Sequence, residues 1–279
     1  MAGYQDFKGG TFFETITAAV NDVARHGYDS EARVAFWLKA LRRSADRSFG
    51  GAEGLTRDMR RKLEAVYHRA RSRSKDPKRH KGIPAYVPDR LTPVMRATVN
   101  RRVAASVDLI KLNRERAIPQ AMQRFSGWAT SVPAGGSDDV DIRKTKADIS
   151  KSIKQLPFEE RRVIIDQGHK LASTLDQTIA EEGGAIAVVW HSHYREAGYD
   201  FRPAHKARNG KVYALKSGWA VKEGLIDKCD GFYEDAEAVG ELPFCRCYGV
   251  WYYNLRDIPE EFLTAKGKEY MKKLKEMRK

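Results

Sequence analysis

Apolar residues recur at three- and four-residue intervals through the first half of the chain, and this spacing predicts a succession of amphipathic helices. Phe12, Ile16, Ala19, Val20 and Val23 form the apolar face of the first, which Thr11 can cap and His26-Gly27 ends. Asp29 or Ser30 opens the second, where Val34, Trp37, Leu38 and Leu41 stand at helical spacing. Trp37 is in register with aliphatic neighbours, so it reads as core and not as a base-stacking platform. A third helix is expected from Leu55 to Arg73, with Leu63 and Val66 among basic residues. A fourth covers Thr92 to Trp128, with Met95, Val99, Val103, Val107, Ile110 and Leu112 on one side, and Pro119 is expected to kink or end it.

The stretch from Val132 to Asp139 is rich in turn formers and nearly free of apolar residues, which predicts a linker over 132–145. Beyond it, Ile149, Ile153 and Leu156 precede Pro157, and Val163, Ile164, Leu171, Leu175 and Ile179 carry helical spacing to a stop at Glu181-Glu182-Gly183-Gly184. The period then changes. Ala185 to Trp190 is a short apolar strand, Arg208-Asn209-Gly210-Lys211 carries a type I′ hairpin signal, and Tyr248 to Tyr253 is an aromatic strand. Thr264 to Lys279 closes the chain as a charged helix. The pattern predicts an α+β protein: a helical basic domain over 1–131, the linker, a compact domain of helices and a small antiparallel sheet over 146–255, and a charged helical segment over 256–279.

Charge adds a partner class. Lys and Arg number 51 against 37 Asp and Glu, a formal net charge of +14 over 279 residues, so the surface attracts polyanions, nucleic acid foremost. The contact candidates are Arg60, Arg61 and Lys62 on the third helix, Lys75, Lys78, Arg79 and Lys81 in the Pro-interrupted stretch after it, and Arg101 and Arg102 on the fourth. They can follow a phosphate backbone, rest on an acidic protein face, or form an ordinary solvated surface. Charge of this kind sets encounter and salt dependence without sequence specificity. Gln5, Asp6, Lys8 and Glu14 interrupt any signal-peptide core, and no uncharged run approaches the roughly 18 residues a membrane span needs. A chain without a membrane anchor, made in the cytoplasm, is expected.

Candidate chemistry is concentrated in the last third, which holds all three cysteines and His191, His193 and His205. Cys245 and Cys247, two apart on an extended segment, point to the same side, so both thiolates can reach one metal, whereas a disulfide between them would be strained. Tetrahedral zinc needs about four ligands, and Cys229 and His205 are the nearest further candidates, with His191 and His193 behind them. The competing reading is three small thiols packed beside an aromatic strand. A His-x-His metallo-isopeptidase pattern requires a serine that does not occur between His193 and Ser217, and the Asn-bearing helix of an HNH-type nuclease is not visible. In Arg202-Pro203-Ala204-His205, Pro203 is expected to hold the backbone extended, so that Arg202 and His205 project from a stiff turn toward carbonyls or carboxylates. Trp190, Arg202, Pro203, His205 and Gly210 form the expected structural clasp. No nucleophile stands at a defined spacing, so no catalytic residue is assigned.

The order Ile164-Ile165-Asp166-Gln167, Gly183-Gly184, Trp190, Arg202-Pro203-x-His205, Gly210-Lys211-Val212-Tyr213 and Pro243 before Cys245-Arg246-Cys247 resembles the Mu-F-like minor capsid, or head-morphogenesis, proteins of tailed bacteriophages. The likeness covers about residues 150 to 255. It implies a low-copy internal virion component, associated with the portal protein, other head proteins and packaged DNA, and acting in head assembly or DNA delivery. Such a protein is made in the bacterial cytoplasm, resides in the capsid near the portal, and is not an enzyme; it needs no cofactor, zinc being the one candidate. The chain departs from the pattern at Glu241-Leu242-Pro243-Phe244, where many members carry a histidine, and at Asp200, which stands where several acidic residues are usual. The rival readings are a metal-dependent nuclease or hydrolase built on the His/Cys cluster, and a general nucleic-acid-binding module.

Overall fold

The computed structural model describes residues 4–49, 51–73 and 88–277, and the candidates Lys75, Lys78, Arg79 and Lys81 lie outside them. The helices are α1 (Phe12–His26), α2 (Glu31–Phe49), α3 (Ala52–Arg73), α4 (Pro88–Ala129), α5 (Ile142–Ile149), α6 (Lys151–Glu182), α7 (Pro203–Ala207), α8 (Trp219–Lys222) and α9 (Ala265–Glu276). The strands are β1 (Ala187–His191), β2 (Val212–Ala214), β3 (Gly231–Phe232) and β4 (Tyr248–Tyr252). The α+β class is as expected. None of the helices among the described residues is long and apolar enough to cross a membrane.

The chain folds into two compact units that are interleaved in sequence and not divided at 132–145. The first takes Met1–Met59 and Ala104–Ile164, and the second takes Arg60–Val103 and Ile165–Lys279. The helices α3, α4 and α6 each contribute a stretch to both.

In the first unit the α1 face predicted from spacing is buried together with Trp37, Leu41, Ala121, Phe125, Ile149 and Ile153. Thr11 forms a complete capping box with Glu14, satisfying two amide donors at the start of α1. Ser30 Oγ accepts the Arg33 N–H, so of the two candidate caps for α2 the serine acts. Trp37 is core, and its Nε1 donates to Asp22 Oδ2 at 2.7 Å. Pro119 neither ends nor kinks α4 into two elements, and Pro157 lies inside α6. Each removes one backbone bond, at a cost of about 3 kcal/mol, but the burial of Ala117, Ile118 and Ala121 around one and Ile153 and Leu156 around the other outweighs it.

The stretch read as a linker is packed into this unit. Tyr28 N–H donates to Val132 O, Gly135 N–H to His26 O and Ser137 N–H to Ala24 O, so residues 132–137 close over the end of α1. A Cβ on Gly27 (φ +69°) would lie 1.7 Å from Pro133 O, and one on Gly136 2.3 Å from Arg25 O. Turn formers here mark a close backbone crossing, which composition alone does not distinguish from a free linker.

The second unit holds the sheet, in order β3-β2-β1-β4. The central strand β1 runs antiparallel to both neighbours, with Val188 opposite Tyr213 on one side and Trp251 on the other. β2 and β3 pair parallel, so the sheet is mixed and not purely antiparallel. The two-residue β3 is drawn in because Asp230 Oδ2 accepts Val212 N–H and Asp230 N–H donates to Val212 O.

Alternation along β1 divides the core. Ala187 and Val189 join Val212, Ala214, Leu225 and Leu255 on one face, whereas Val188 and Trp190 join Tyr213, Tyr233, Cys245 and Cys247 on the other.

The turn at Arg208-Asn209-Gly210-Lys211 does not join the strands as a type I′ hairpin. Of its central residues only Gly210 has positive φ (+80°), where type I′ requires both. The connection from β1 to β2 instead runs from Ser192 to Lys211 through α7, and the Asn209 side chain accepts Ser192 N–H at 2.9 Å.

Candidate metal centre

His205 is delivered by α7. Pro203 occupies the first helical position, where a missing N–H is no loss, so it starts a helical turn instead of holding the chain extended. That turn brings His205, two residues on, to 4% exposure against Trp190, the ring centroids 5.3 Å apart and edge-on. The two thiols come from the segment leading into β4. Cys245 and Cys247 point to the same side, as their spacing predicts, and His205 Nδ1 lies 3.4 Å from each sulfur. All three ligand atoms fall within 4.8 Å of one another, and all three residues are buried.

The backbone of this segment is held by three side chains. Asp166 Oδ1 on α6 accepts Phe244 N–H at 2.5 Å, which keeps Phe244 at φ +58°, a region that non-glycine residues enter at a cost of about 1–2 kcal/mol. Arg202 Nη2 donates to Pro243 O at 2.9 Å. Tyr199 OH donates to Phe244 O and accepts Arg246 N–H. Arg202 therefore meets a carbonyl, as the reading of a clasp requires, but across the Pro243 loop and not across a hairpin. Asp166 is itself buried and paired with Lys170 Nζ at 3.0 Å, a charge pair one helical turn apart on the inner side of α6.

The electrostatics of the two thiols differ. The Cys247 thiol donates to Cys245 sulfur, and this, with the Cys247 N–H at 3.5 Å and the nearby His205 ring, pushes Cys245 down to about 5 against the effect of burial. Cys247, holding the shared proton and buried, is pushed up. In the metal-free chain the pair thus carries one negative charge and one proton. A histidine nitrogen and two sulfurs converging on one point form the donor set that zinc selects, so the residues fit that ion.

Cys229 is not among them. It packs with the apolar cluster on the opposite face of the sheet, and its thiol is pushed up to about 12 by burial, with Asp230 and Asp227 adding to the effect. Proximity in sequence put it on the candidate set; strand alternation takes it away. His191 and His193 also lie outside the group: His191 stacks on Tyr248 at 5.0 Å, and the His193 ring is tilted 5.7 Å from it. Trp190 is fully buried beneath the site with the Arg208 guanidinium 5.1 Å from its ring, and Gly210 N–H donates to Trp190 O.

Among the basic contact candidates, Arg60, Arg61, Lys62 and Arg101 are exposed. Arg60 Nη1 donates to Asn100 Oδ1, and Arg101 Nη2 to Thr98 Oγ1. Arg102 instead forms a two-bond pair with Glu241 at 2.9 and 2.7 Å, which commits it to the loop that precedes Cys245.

Sequence reasoning left three side chains without their roles. Asp166 and Lys170 carried a usable signal, opposite charges four apart at positions that helical spacing places beside buried Val163 and Leu171. Tyr199 carried none. No family model matches the chain, and no curated protein or solved structure matches it.

Proposed function

We propose that the chain is a minor head protein of a tailed bacteriophage, a low-copy component inside the capsid near the portal, whose second unit is a docking module braced by a zinc ion on His205, Cys245 and Cys247. One observation supports this reading above the others. The short segments that carry the resemblance, the helix with Asp166, the Trp190 strand, the Arg-Pro-x-His turn and the Cys-Arg-Cys end, are distant in sequence, and they converge on one buried group. Burial of all three donor residues suits a structural ion better than one that must admit a substrate. A net charge of +14 suits a neighbour of packaged DNA, through phosphate contacts that carry no sequence preference.

The test is quantitative mass spectrometry of purified particles of the phage encoding this chain. The proposal expects the protein in DNA-filled particles, at far fewer copies than the major capsid protein and retained through washing in high salt. Particles that assemble fully without it refute the assignment.

The second reading, a metal-dependent nuclease or hydrolase, draws on the same His/Cys group. It expects cleavage of DNA or of an ester by the metal-loaded chain, lost on chelation and in His205→Ala. The structural reading expects no cleavage in either state.

A further inference from the structure

We infer that the outer edge of β4 is a self-association surface, which pairs antiparallel with the β4 of a second copy of this chain and places Val250 on the two-fold axis. The inference goes beyond the function proposed above and does not rest on it.

The two edges of the sheet differ. β3 is two residues long, and so short an edge resists further pairing. β4 is five residues long, Tyr248-Gly249-Val250-Trp251-Tyr252, and carries neither a charge nor a proline, the usual guards of an open edge. Four of the five residues of β1 and all three of β2 are buried, whereas none of β4 is, and Tyr248 and Val250 are 49% and 41% exposed. Among the described residues no backbone bond reaches the outer side of β4.

Strand alternation identifies the groups left on that side. Trp190 N–H donates to Lys211 O and Trp190 O accepts Gly210 N–H, so Trp190 turns both its backbone groups away from β4. Its neighbours Val189 and His191 therefore turn theirs toward β4, where Val250 and Tyr248 turn back to meet them. Gly249 and Trp251 are left with their N–H and C=O groups pointing outward. Just before the strand, Cys247 N–H is already taken by Cys245 sulfur.

This set of groups fits its own copy. Antiparallel pairing about Val250 sets Gly249 opposite Trp251 of the second copy on both sides of the axis, and each such pair exchanges an N–H and a C=O in both directions. No outward group of the strand is left over. The side chains agree: Tyr248 meets Tyr252 and Val250 meets Val250, aromatic and β-branched pairs that favour cross-strand contact. Gly249 has no side chain because a Cβ there would lie 2.6 Å from Val188 Cγ2, and the Trp251 indole of the second copy covers the backbone this leaves bare.

Size and charge set the strength. A five-residue edge buries less than the about 800 Å² per partner of a standard interface, so the dimer is weak and exchanges with monomer in the micromolar range or above. Two chains of +14 repel, but the strand itself is uncharged, and repulsion between exposed charges is screened beyond about 8 Å at 0.15 M salt. Added salt therefore strengthens this contact, the opposite of its effect on nucleic-acid binding.

Sedimentation equilibrium of the full-length chain, from micromolar to near-millimolar concentration, tests the association. The inference expects monomer and dimer in exchange, with more dimer at higher salt. Val250→Lys sets two ammonium groups against each other at the axis and should leave monomer throughout, with an unchanged unfolding midpoint because Val250 is exposed. Register is read by crosslinking in a Cys229→Ser background. Val250→Cys should form a disulfide-linked dimer under mild oxidation, and Leu112→Cys, 60% exposed on α4, should not.

A chain that stays monomeric over the whole range overturns the inference, as does a dimer that survives Val250→Lys. Crosslinking as fast through Leu112→Cys as through Val250→Cys overturns it too, since collision alone would then account for the product.

Discussion

The carboxylate of Asp166 accepts the backbone N–H of Phe244 at 2.5 Å, and by this bond a residue of α6 fixes the conformation of a loop 78 residues further along the chain. The same carboxylate is paired with buried Lys170, so it anchors the loop and neutralises a buried charge at once. Asp166→Ala removes both interactions and leaves Lys170 buried without its partner. A loss of about 3–5 kcal/mol in unfolding free energy is expected by chemical denaturation, the cost typical of breaking one side of a buried pair. A loss below about 1 kcal/mol would show that the loop is held by Arg202 and Tyr199 alone.

The shared proton of the cysteine pair gives a calorimetric prediction. At pH 7 Cys245, at about 5, is already a thiolate, while Cys247 keeps its proton and Cys229, at about 12, remains a thiol. Zinc binding to the folded chain should therefore release about one proton and not two, measured from the dependence of the binding enthalpy on buffer ionisation.

The same shifts set the sign of a pH effect on the metal-free chain. The folded thiol of Cys245 lies below its ordinary value of 9.0, so its contribution to stability is full above that value and is lost as pH falls toward about 5. The raised thiol of Cys247 acts oppositely, and its contribution declines above pH 9 as the unfolded chain loses that proton. The difference in unfolding midpoint between metal-free wild type and Cys245→Ser should grow from pH 5 to pH 8.

Gly27→Ala tests the packing of the stretch over 132–137. The new methyl group meets Pro133 O at 1.7 Å at a position of positive φ, a clash with backbone that no rotamer relieves. A loss of at least about 3 kcal/mol is expected, in the range of severe backbone effects. If 132–145 were a free linker, the change would cost about 1 kcal/mol, the left-handed conformation alone.

For phosphate contact, the fold separates candidates that the sequence groups together. Arg60→Ala, Arg61→Ala, Lys62→Ala and Arg101→Ala should each weaken binding to duplex DNA regardless of its sequence and lower the slope of log K against log salt by about one. Arg102→Ala should leave that slope nearly unchanged and instead lower stability, because Arg102 is paired with Glu241. Fluorescence anisotropy between 50 and 200 mM salt reads the slope directly.

Much of the fold is legible in the sequence because helical spacing, capping residues and β-branched runs act locally. The start of α1 at Thr11, the burial of Trp37 and the strands around Trp190 and Tyr252 follow from residues within a few positions of each. The failures share one cause. Pro119 inside α4, the packed turn at 132–137 and the long connection through α7 are decided by contacts with residues distant in sequence, which outweigh the local preference for a break, a linker or a hairpin. The candidate site divides in the same way. Cys245 and Cys247 were legible because a period of two places them on one side, and His205 because the Arg-Pro turn marks it. Cys229 was misplaced because it lies beyond a sheet whose two faces cannot be told apart until the register of β1 is known.

The most direct test of the account is native mass spectrometry of the full-length chain and its variants after purification in zinc. One zinc per chain is expected for the unmutated protein and for Cys229→Ser, and none for His205→Ala or Cys247→Ser. A chain that carries no zinc, or one whose zinc is lost with Cys229 and kept without His205, would contradict it.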